Sequence, residues 1–346
     1  MKTSLTQSLL EAVPAPSVLI GRDDRILAAN LTARALLGPD IRGRLYVTCL
    51  RQPGLIDCIE QGLRNGAAGQ GRHVVRGASS DSIYRVIVNP VEGDGQNGVL
   101  CTFEDISEQE QIGQMRRDFV ANVSHELRTP LTALLGFIET LQGAARHDAA
   151  ARERFLAVMA REAGRMNRLV GDLLQLSRVE ANERVRPTQM VDIAALVGRV
   201  VSDLQPLAIE GGVSISVSGA EAAALVPADG DQMTQVLANL IENAIKYGGA
   251  GKVVQVALSH IDTDSSVKGP ALRVEVRDKG EGIDEVHLPR LTERFYRVDS
   301  HRSREKGGTG LGLAIVKHII NRHRGRLKLA SVKGQGSTFT VILPKN

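Results

Sequence analysis

The chain has 346 residues, of which 42% are hydrophobic and 24% charged, and its formal net charge is +4. This is the balance of a folded, soluble protein rather than a disordered one, and we predict three domains from the length and from changes of pattern along the chain. Only 3% of the residues are aromatic and tryptophan is absent. We therefore expect no stacking surface for single-stranded nucleic acid and no direct nucleic-acid partner.

The cysteines and the hydropathy bear on the location of the protein. Cys49, Cys58 and Cys101 are odd in number and lack C-x-x-C spacing, which argues against a disulfide framework and a structural zinc site. No stretch approaches the roughly 18 to 20 apolar residues of a transmembrane helix, and the first residues lack the apolar run of a signal peptide. We expect a cytoplasmic protein with no transmembrane segment in this chain.

Residues 1–106 have the pattern of short strands and helices separated by turns. Asn30 is predicted to cap a short helix that Gly38 ends. Residues 93–98 are rich in glycine and are predicted to form a hairpin loop. These features favour a small α+β domain, with strands at residues 18–20, 25–28, 83–88 and 99–103.

Residues 107–185 change to a helical pattern. Apolar residues recur every three or four positions from Ile112 to Leu141, stop at residues 143–148, and recur again from Phe155 to Val179. We predict two long helices in an antiparallel hairpin. A lone hairpin cannot bury apolar residues on all of these faces, so we expect a homodimer in which two hairpins form a four-helix bundle.

In residues 186–346 strands and helices alternate, which predicts an α/β sandwich. Asp192 and Asp231 are each predicted to cap a helix, and a further helix is predicted over residues 311–323. A mixed sheet is predicted from residues 213–217, 253–258, 272–276, 326–330 and 338–343.

A polar histidine interrupts the apolar pattern of the first long helix. In the run from Phe119 to Leu131, His125 is followed by Glu126, and Thr129 lies one helical turn further along the same face. One ring nitrogen of an imidazole can attack phosphorus while a neighbouring carboxylate directs the other nitrogen. His125 is thus a candidate nucleophile, although a single histidine in a helix is more often structural.

Polar side chains at residues 239, 243 and 246 share one face of the predicted helix that ends at Tyr247. An asparagine such as Asn239 or Asn243 can offer a neutral oxygen to Mg²⁺ while phosphates and water complete the coordination. Lys246 can neutralise phosphate charge. A solvated helix face is the alternative interpretation of this pattern.

Two glycine-rich segments complete the set. Asp278 follows a predicted strand, and its carboxylate can accept a hydrogen bond from an exocyclic amine such as that of adenine. The segment from Gly307 to Leu313 runs into a predicted helix and can direct backbone N–H groups at an anion. Basic residues between Arg294 and Lys306 are a candidate lid over a triphosphate.

Taken in order over residues 116–343, these motifs resemble those of the sensor histidine kinases of bacterial two-component systems. The resemblance implies a multidomain α+β protein: a dimerising hairpin that carries the phosphoacceptor, and an α/β sandwich of the histidine kinase/Hsp90-like type that binds ATP with Mg²⁺. The segments that resemble the boxes of that family are residues 119–131, 239–247, 278–283, 294–297 and 307–313.

The resemblance also implies roles for single residues. His125 would be the phosphoacceptor and Glu126 its general base, Asn243 would bind Mg²⁺, and Thr129 would position water for a phosphatase reaction on a response-regulator partner. The residues that would bind the nucleotide or line its site are Asn239, Asn243, Lys246, Tyr247, Asp278, Gly280, Gly282, Ile283, Arg297, Gly307, Gly308, Thr309, Gly310, Leu311 and Gly312.

The three expected domains are then a PAS-like sensory domain at residues 1–106, the dimerisation and phosphotransfer hairpin at 107–185, and the catalytic ATP-binding domain at 186–346. Together with residues 50–53, Leu-Arg-Gln-Pro, the contiguous order of these domains looks most like the phosphate-regulon sensor kinases. Those kinases usually carry an N-terminal membrane anchor, whereas no transmembrane segment is predicted in this chain. We therefore expect any membrane contact of this chain to come through a partner.

Two alternatives belong to other classes. An ATPase of the related chaperone or mismatch-repair type would share the motifs at residues 239–247, 278–283 and 307–313 but not the hairpin with His125. A sensory scaffold without catalytic activity would dimerise through the hairpin and bind partners. Labelling with ATP separates the three, because only the kinase acquires an acid-labile phosphoryl group.

Overall fold

The computed structural model describes residues 5–77, 81–93, 96–249, 253–298 and 308–345. The contacts divide the chain into two compact units, residues 1–121 and 122–346. The predicted hairpin and the predicted nucleotide domain both fall largely in the second unit. In the described residues, no helix combines the length and apolar character needed to cross a bilayer.

The first unit is built on a five-stranded antiparallel sheet in the order β2-β1-β5-β4-β3. Its strands are β1 (Ser17–Gly21), β2 (Ile26–Ala29), β3 (Gly69–Val75), β4 (Ser82–Gly93) and β5 (Gln96–Asp105). Its short helices are α1 (Leu5–Glu11), α2 (Leu31–Leu37), α3 (Tyr46–Cys49) and α4 (Pro53–Asn65).

Asn30 caps α2, as predicted. Its Oδ1 accepts hydrogen bonds from the backbone N–H of Ala33 at 2.9 Å and of Ser17 at 3.0 Å, so the cap also ties the helix to β1. Gly38 ends the helix with φ of 115°, a conformation that glycine adopts without steric cost.

The core of this unit lies between the sheet and its helices. Tyr46 and Phe103 are its largest fully buried side chains, and aliphatic residues of β1, β2, α4 and β5 pack around them. Cys101 is part of this core, and burial raises the pKa of its thiol to about 12.

The predicted hairpin loop at residues 93–98 is wrong in extent. β5 already begins at Gln96, which pairs with Gly93, so only residues 94–95, which lie outside the described residues, separate the strands. Gly98 lies within the strand, and it must be glycine there because a Cβ would stand 2.3 Å from the Ile20 carbonyl oxygen. The glycine permits close strand approach rather than a turn.

The hairpin consists of α5 (Ser107–Gln142) and α6 (Ala149–Ala181). The break between them falls where the pattern predicted it, and Asp148 caps α6 by accepting from the Ala151 N–H at 2.9 Å. Phe137 stacks on Phe155 with centroids 5.4 Å apart, and Glu126 pairs with Arg165. Residues further before the turn thus meet residues further after it, which is the antiparallel arrangement.

The rest of the second unit is an α/β sandwich. The main sheet has the order β11-β12-β10-β9-β7; β7 and β9 are parallel and the other pairs antiparallel, so the predicted mixed sheet is confirmed. Its strands are β7 (Ser214–Ser218), β9 (Val253–Asp264), β10 (Gly269–Arg277), β11 (Arg326–Val332) and β12 (Gly336–Pro344), and a small second sheet pairs β6 (Met190–Asp192) with β8 (Leu225–Pro227).

In the described part of this unit, three helices pack in the sandwich: α7 (Ile193–Glu210), α8 (Gly230–Tyr247) and α9 (Gly312–Arg322). A short 3₁₀ helix, Glu285–Arg290, precedes residues 294–297. The buried residues of α8 and α9 are apolar and recur at helical spacing: Met233, Val236, Leu237, Leu240, Ile241, Ala244 and Ile245 on α8, and Ala314, Ile315, Val316, Ile319 and Ile320 on α9.

The predicted caps of two of these helices differ in outcome. Asp192 caps α7 as predicted, accepting from the N–H groups of Ala194 and Ala195. Asp231 does not cap α8; the N-cap is Asp229, whose extended backbone lets its carboxylate accept from the Gln232 N–H at 3.2 Å. Asp231 lies in the first turn, where a negative charge still interacts favourably with the helix dipole.

Candidate functional site

His125 lies on the exposed surface of α5. The Thr129 hydroxyl, one turn later, donates to the His125 backbone carbonyl at 3.1 Å. These two residues line an open cavity of about 490 Å³ together with Arg128, Thr132 and Ala133. The imidazole is therefore accessible to a large partner or to a reactive group brought to it.

Glu126 points to a different environment from its neighbour. Its Oε2 lies 2.7 Å from Nη2 of Arg165 on α6, and both side chains are largely buried. Arg297 of the sandwich approaches the same oxygen at 3.9 Å. The candidate general base is thus held by one arginine of the hairpin and lies beside one from the candidate nucleotide site.

The polar face of α8 turns toward the glycine-rich segment that precedes α9. Asn239 Nδ2 donates to the Gly312 carbonyl at 3.4 Å. Lys246 pairs with Glu242 at 2.7 Å, one turn before it. Asn243 is half-buried on the same helix, and Tyr247 at its end is 40% exposed. The apolar face of α8 is buried, so the helix is fixed while this polar face remains available.

Asp278 lies directly after β10 and is buried. Its Oδ1 accepts from the Gly280 N–H at 2.8 Å and lies 3.3 Å from the Ser337 backbone nitrogen, which also donates to it. A Cβ on Gly280 would stand 2.2 Å from the Tyr247 carbonyl oxygen. Glycine is therefore required where this loop meets the end of α8, and Asp278 is fixed beside that contact.

The loop continues through Gly282 and Ile283. Gly282 has φ of 68°, and a Cβ there would lie 2.1 Å from the Val332 carbonyl oxygen. The Ile283 N–H donates to the Ser331 hydroxyl at 2.8 Å. These contacts fasten the loop to β11, so the predicted adenine-binding segment has a defined shape.

The second glycine-rich segment begins outside the described residues with Gly307 and is described from Gly308 onward. Gly310 has φ of 75°, and its carbonyl accepts from the Phe295 N–H at 2.9 Å. The Arg297 guanidinium donates to the Gly308 carbonyl. Leu311 is fully buried and precedes α9. The candidate lid residues Arg302, Arg304 and Lys306 also lie outside the described residues.

These residues fit a nucleotide with Mg²⁺. The glycines at 280 and 282 stand where a Cβ would collide with backbone, and Gly310 has φ of 75°, so both segments keep shapes that other residues would strain. No group of three or more His, Cys, Asp or Glu in the described part of the chain could hold a metal. Asn243 can instead offer a neutral amide oxygen, which suits Mg²⁺ whose other ligands are phosphates and water, and Lys246 can neutralise phosphate charge.

The structure therefore brings together both glycine-rich segments, Arg297 and α8, which is called the asparagine helix below because it carries Asn239 and Asn243. Glu126 lies near them. No described hydrogen bond or ion pair joins the His125 side chain to the nucleotide residues. Sequence reasoning missed Arg165, Asp172 and Glu180, which reach the candidate site from α6. Their partners are 39 to 137 positions away, so no local spacing indicated them.

Two protein families match the chain. Residues 115–182 match the His Kinase A (phospho-acceptor) domain, and residues 228–346 match the Histidine kinase-, DNA gyrase B-, and HSP90-like ATPase. The first range contains His125 and most of the hairpin. The second contains α8, Asp278 and the glycine-rich segment before α9.

Curated relatives are similar over the same part of the chain. The phosphate regulon sensor protein PhoR of Pseudomonas aeruginosa is 42% identical over 246 residues, which are 71% of this chain and 54% of that protein. The sensor histidine kinase WalK of Bacillus subtilis is 38% identical over 248 residues, which are 72% of this chain and 40% of that protein. The chain thus spans about half or less of the length of these relatives.

One solved structure covers nearly the whole chain. The histidine kinase ThkA, crystallised in complex with the response regulator protein TrrA, aligns over 98% of both chains with a TM-score of 0.54 and 21% identity. At that identity the likeness concerns the fold. Together with the two matched domains and the PhoR and WalK relatives, it leads to one conclusion: the chain belongs to the histidine kinase family.

Proposed function

We propose that this chain is a sensor histidine kinase that uses ATP to phosphorylate His125 and passes the phosphoryl group to an aspartate of a response regulator. The observation that carries the proposal is the convergence of the asparagine helix and both glycine-rich segments in the same unit as an exposed histidine. An ATPase of the chaperone type shares only the nucleotide fold, and the phospho-acceptor match over residues 115–182 favours the kinase over it.

Each element of the site has a task in this proposal. Asp278, which accepts from two backbone N–H groups, would also accept from the adenine amine. Asn243 would supply the protein oxygen to Mg²⁺, which neutralises phosphate charge when bound. Asn239 and Lys246 would line the phosphates, and the N–H groups of the segment from Gly308 to Gly312 would donate to them.

The transfer itself balances with the groups on the hairpin. A ring nitrogen of His125 forms the bond to the γ-phosphorus while the bond from that phosphorus to the bridging oxygen breaks, and ADP leaves. Glu126, next in sequence, would take the ring proton as the general base. In this structure the Glu126 carboxylate lies at Arg165 and Arg297, so it would have to turn toward the His125 ring for that step.

The partner and the reverse reaction are part of the same proposal. ThkA was crystallised with a response regulator, and the exposed cavity around His125 and Thr129 supports docking of such a partner there. Thr129 would position water for dephosphorylation of the regulator. Likeness to PhoR favours phosphate-starvation signalling as the pathway.

The remaining organisation is proposed as expected from the sequence: a PAS-like sensory domain at residues 1–106, the hairpin at 107–185, the ATP-binding domain at 186–346, and a cytoplasmic homodimer. The five-stranded antiparallel sheet supports the PAS-like assignment. Apolar side chains left exposed on the hairpin support dimerisation into a four-helix bundle: Leu131, Leu135, Ile138, Leu156, Val170 and Leu174.

The experiment is incubation of the chain with γ-labelled ATP and Mg²⁺. We expect acid-labile, alkali-stable label that is lost in His125→Gln and in Asn243→Asp but retained in His147→Gln, which replaces an exposed histidine of the hairpin turn as a matched control. ATP hydrolysis without label would favour the chaperone-type ATPase. Neither hydrolysis nor label would favour the scaffold.

A second assay tests Thr129. Thr129→Ala should keep the label on His125 but slow dephosphorylation of the cognate regulator, since only the hydroxyl that positions water is removed. Thr140→Ala is the control, because it removes a hydroxyl of the same helix that donates to the carbonyl one turn earlier but lies outside this cavity. An unchanged dephosphorylation rate in Thr129→Ala would remove Thr129 from that role.

A further inference from the structure

A carboxylate of the hairpin reaches the second glycine-rich segment. The Thr309 hydroxyl donates to Asp172 Oδ2 at 2.6 Å, and its oxygen accepts from the Leu311 N–H at 3.3 Å. Asp172 belongs to α6, whereas Thr309 lies just before α9. The segment whose N–H groups the proposed function gives to nucleotide phosphates is therefore already bonded, through Thr309, to an acidic side chain.

Two neighbouring contacts repeat the arrangement. Nη2 of Arg294 lies 2.6 Å from Oε1 of Glu180 on α6. Nη2 of Arg297 lies 3.9 Å from Oε2 of Glu126 on α5. In each case a hydrogen-bond donor near the candidate nucleotide site, on Thr309, Arg294 or Arg297, faces a carboxylate of the hairpin. All three contacts join the hairpin to residues near the candidate nucleotide site.

A carboxylate presents the same kind of ligand as a phosphate, namely anionic oxygen that accepts hydrogen bonds from hydroxyl, guanidinium and backbone N–H groups. When it belongs to the same chain it competes at a high effective concentration. It also brings negative charge next to the position where the proposed function puts triphosphate, and like charges at short distance repel strongly where water is partly excluded.

We infer that Asp172 is an internal competitor of the nucleotide phosphates, a latch that holds the second glycine-rich segment against the hairpin until ATP displaces it. The inference rests on the proposed function, because it assumes that phosphates bind at this segment.

Two further observations support the latch. Desolvation raises the pKa of the Asp172 carboxyl, while the hydrogen bond from Thr309 opposes that shift and the charge of Glu242 adds to it. The charged Asp172 carboxylate is thus held beside Thr309 at a desolvation cost, and this cost favours its separation from Thr309. Next to it along α6, the Gln175 amide hydrogen-bonds to Gln235 of α8, so the same helix contacts the asparagine helix as well.

The latch couples nucleotide binding to the hairpin. If ATP and Asp172 exclude each other, any input that moves α6 away from Thr309 strengthens ATP binding, and ATP by the same free energy favours separation of the two. The Arg297 contact would loosen in the same step, and Glu126 would then be released from one of its two arginines.

The experiment compares nucleotide affinity of the full chain with that of Asp172→Asn. This variant keeps the size of the side chain and an acceptor for Thr309, but it removes the negative charge. We expect a non-hydrolysable ATP analogue with Mg²⁺ to bind about five- to tenfold more tightly, the effect of losing one charge-assisted contact. Glu153→Gln removes an exposed carboxylate from the same helix and should leave the affinity unchanged.

Adenosine, which has no phosphates, is the matched ligand control and can be measured by competition with a fluorescent nucleotide. Asp172→Asn should leave its affinity unchanged. Equal tightening of adenosine and the ATP analogue would overturn the latch, since the effect would then not concern phosphates. Unchanged affinity for both would also overturn it. If Asp172→Asn loses its cooperative thermal transition, Asp172→Ser gives the same test.

Failure of the latch differs from failure of the proposed function. A chain that binds the analogue but never labels His125 contradicts the kinase and leaves the affinity comparison valid. A chain that labels His125, and whose Asp172→Asn variant binds the analogue no more tightly, contradicts the latch alone.

Discussion

His323 offers a test of how the nucleotide-binding helices are held together. Its side chain is 1% exposed. Nδ1 lies 2.7 Å from the Ile319 carbonyl, one turn earlier, to which it donates. Nε2 accepts from the Asp229 N–H at 3.0 Å. The imidazole is therefore neutral, with its proton on Nδ1, and it joins the end of α9 to the N-cap of α8.

Replacing His323 by alanine removes both hydrogen bonds and leaves a cavity. The partly buried Asp229 N–H then lacks its partner, which costs roughly 1–3 kcal/mol, and the lost packing adds to this. We expect the free energy of unfolding to fall by about 2–4 kcal/mol at pH 8.

The same residue predicts a pH dependence of known sign. Desolvation lowers the pKa of His323 below its ordinary value, and the charge of Arg322 acts in the same direction. The unfolded chain therefore binds this proton first as the pH falls. The stabilisation is fully present above about pH 6.5 and is lost as the pH falls through the lower, folded-state pKa. Between the two pKa values it declines by up to about 1.4 kcal/mol per pH unit.

The assay is urea unfolding followed by the methyl NMR signals of Ile315 and Ile319, which report this part of the chain. The difference in unfolding free energy between the wild type and His323→Ala should shrink as the pH is lowered from 8 to 5. His260→Ala, an exposed position on β9, is the control and should show a small difference at every pH. A constant difference for His323→Ala would refute the neutral, hydrogen-bonded imidazole.

Two further predictions concern other parts of the chain. Cys101, whose buried thiol has its pKa raised to about 12, should resist maleimide at pH 8 while the partly exposed Cys49 and Cys58 react; equal labelling of all three in the native protein would contradict the packed core. Gly282→Ala should cost at least about 2 kcal/mol and weaken ATP binding, because its Cβ would collide with the Val332 carbonyl; Gly198→Ala, with no atom in the way, should be neutral or stabilising in urea unfolding.

The sequence predicted best the features that depend on neighbouring residues. Asn30 and Asp192 cap helices because each side-chain oxygen accepts a hydrogen bond from a free backbone N–H only two or three residues later. The hairpin was predictable because two long apolar repeats are interrupted once, at residues 143–148.

Features that depend on distant contacts were harder to predict. Gly98 resembles a turn residue but belongs to a strand, because its reason is the approach of Ile20. Asp229 was passed over for Asp231, although both are aspartates near the helix start, because only the backbone conformation distinguishes them. Helix α4 and strand β3 were not predicted; β3 contains Gly69 and Gly71, which weaken any strand pattern.

The same distinction holds for the candidate site. Its segments were recognisable because short motifs such as the one around Asp278 place polar atoms and glycines at fixed spacing. The contacts of Asp172, Glu180 and Arg165 could not be predicted, since they join positions far apart in the chain and depend on how α6 packs against α9 and α5.

The central claim is that His125 receives a phosphoryl group from ATP bound in the sandwich. Its most direct test is peptide mapping by mass spectrometry under alkaline conditions after incubation with ATP and Mg²⁺. We predict a single phosphohistidine at His125, absent when Asn243→Asp is used. Phosphate on another residue, or an unmodified His125 in a chain that binds ATP, would contradict it.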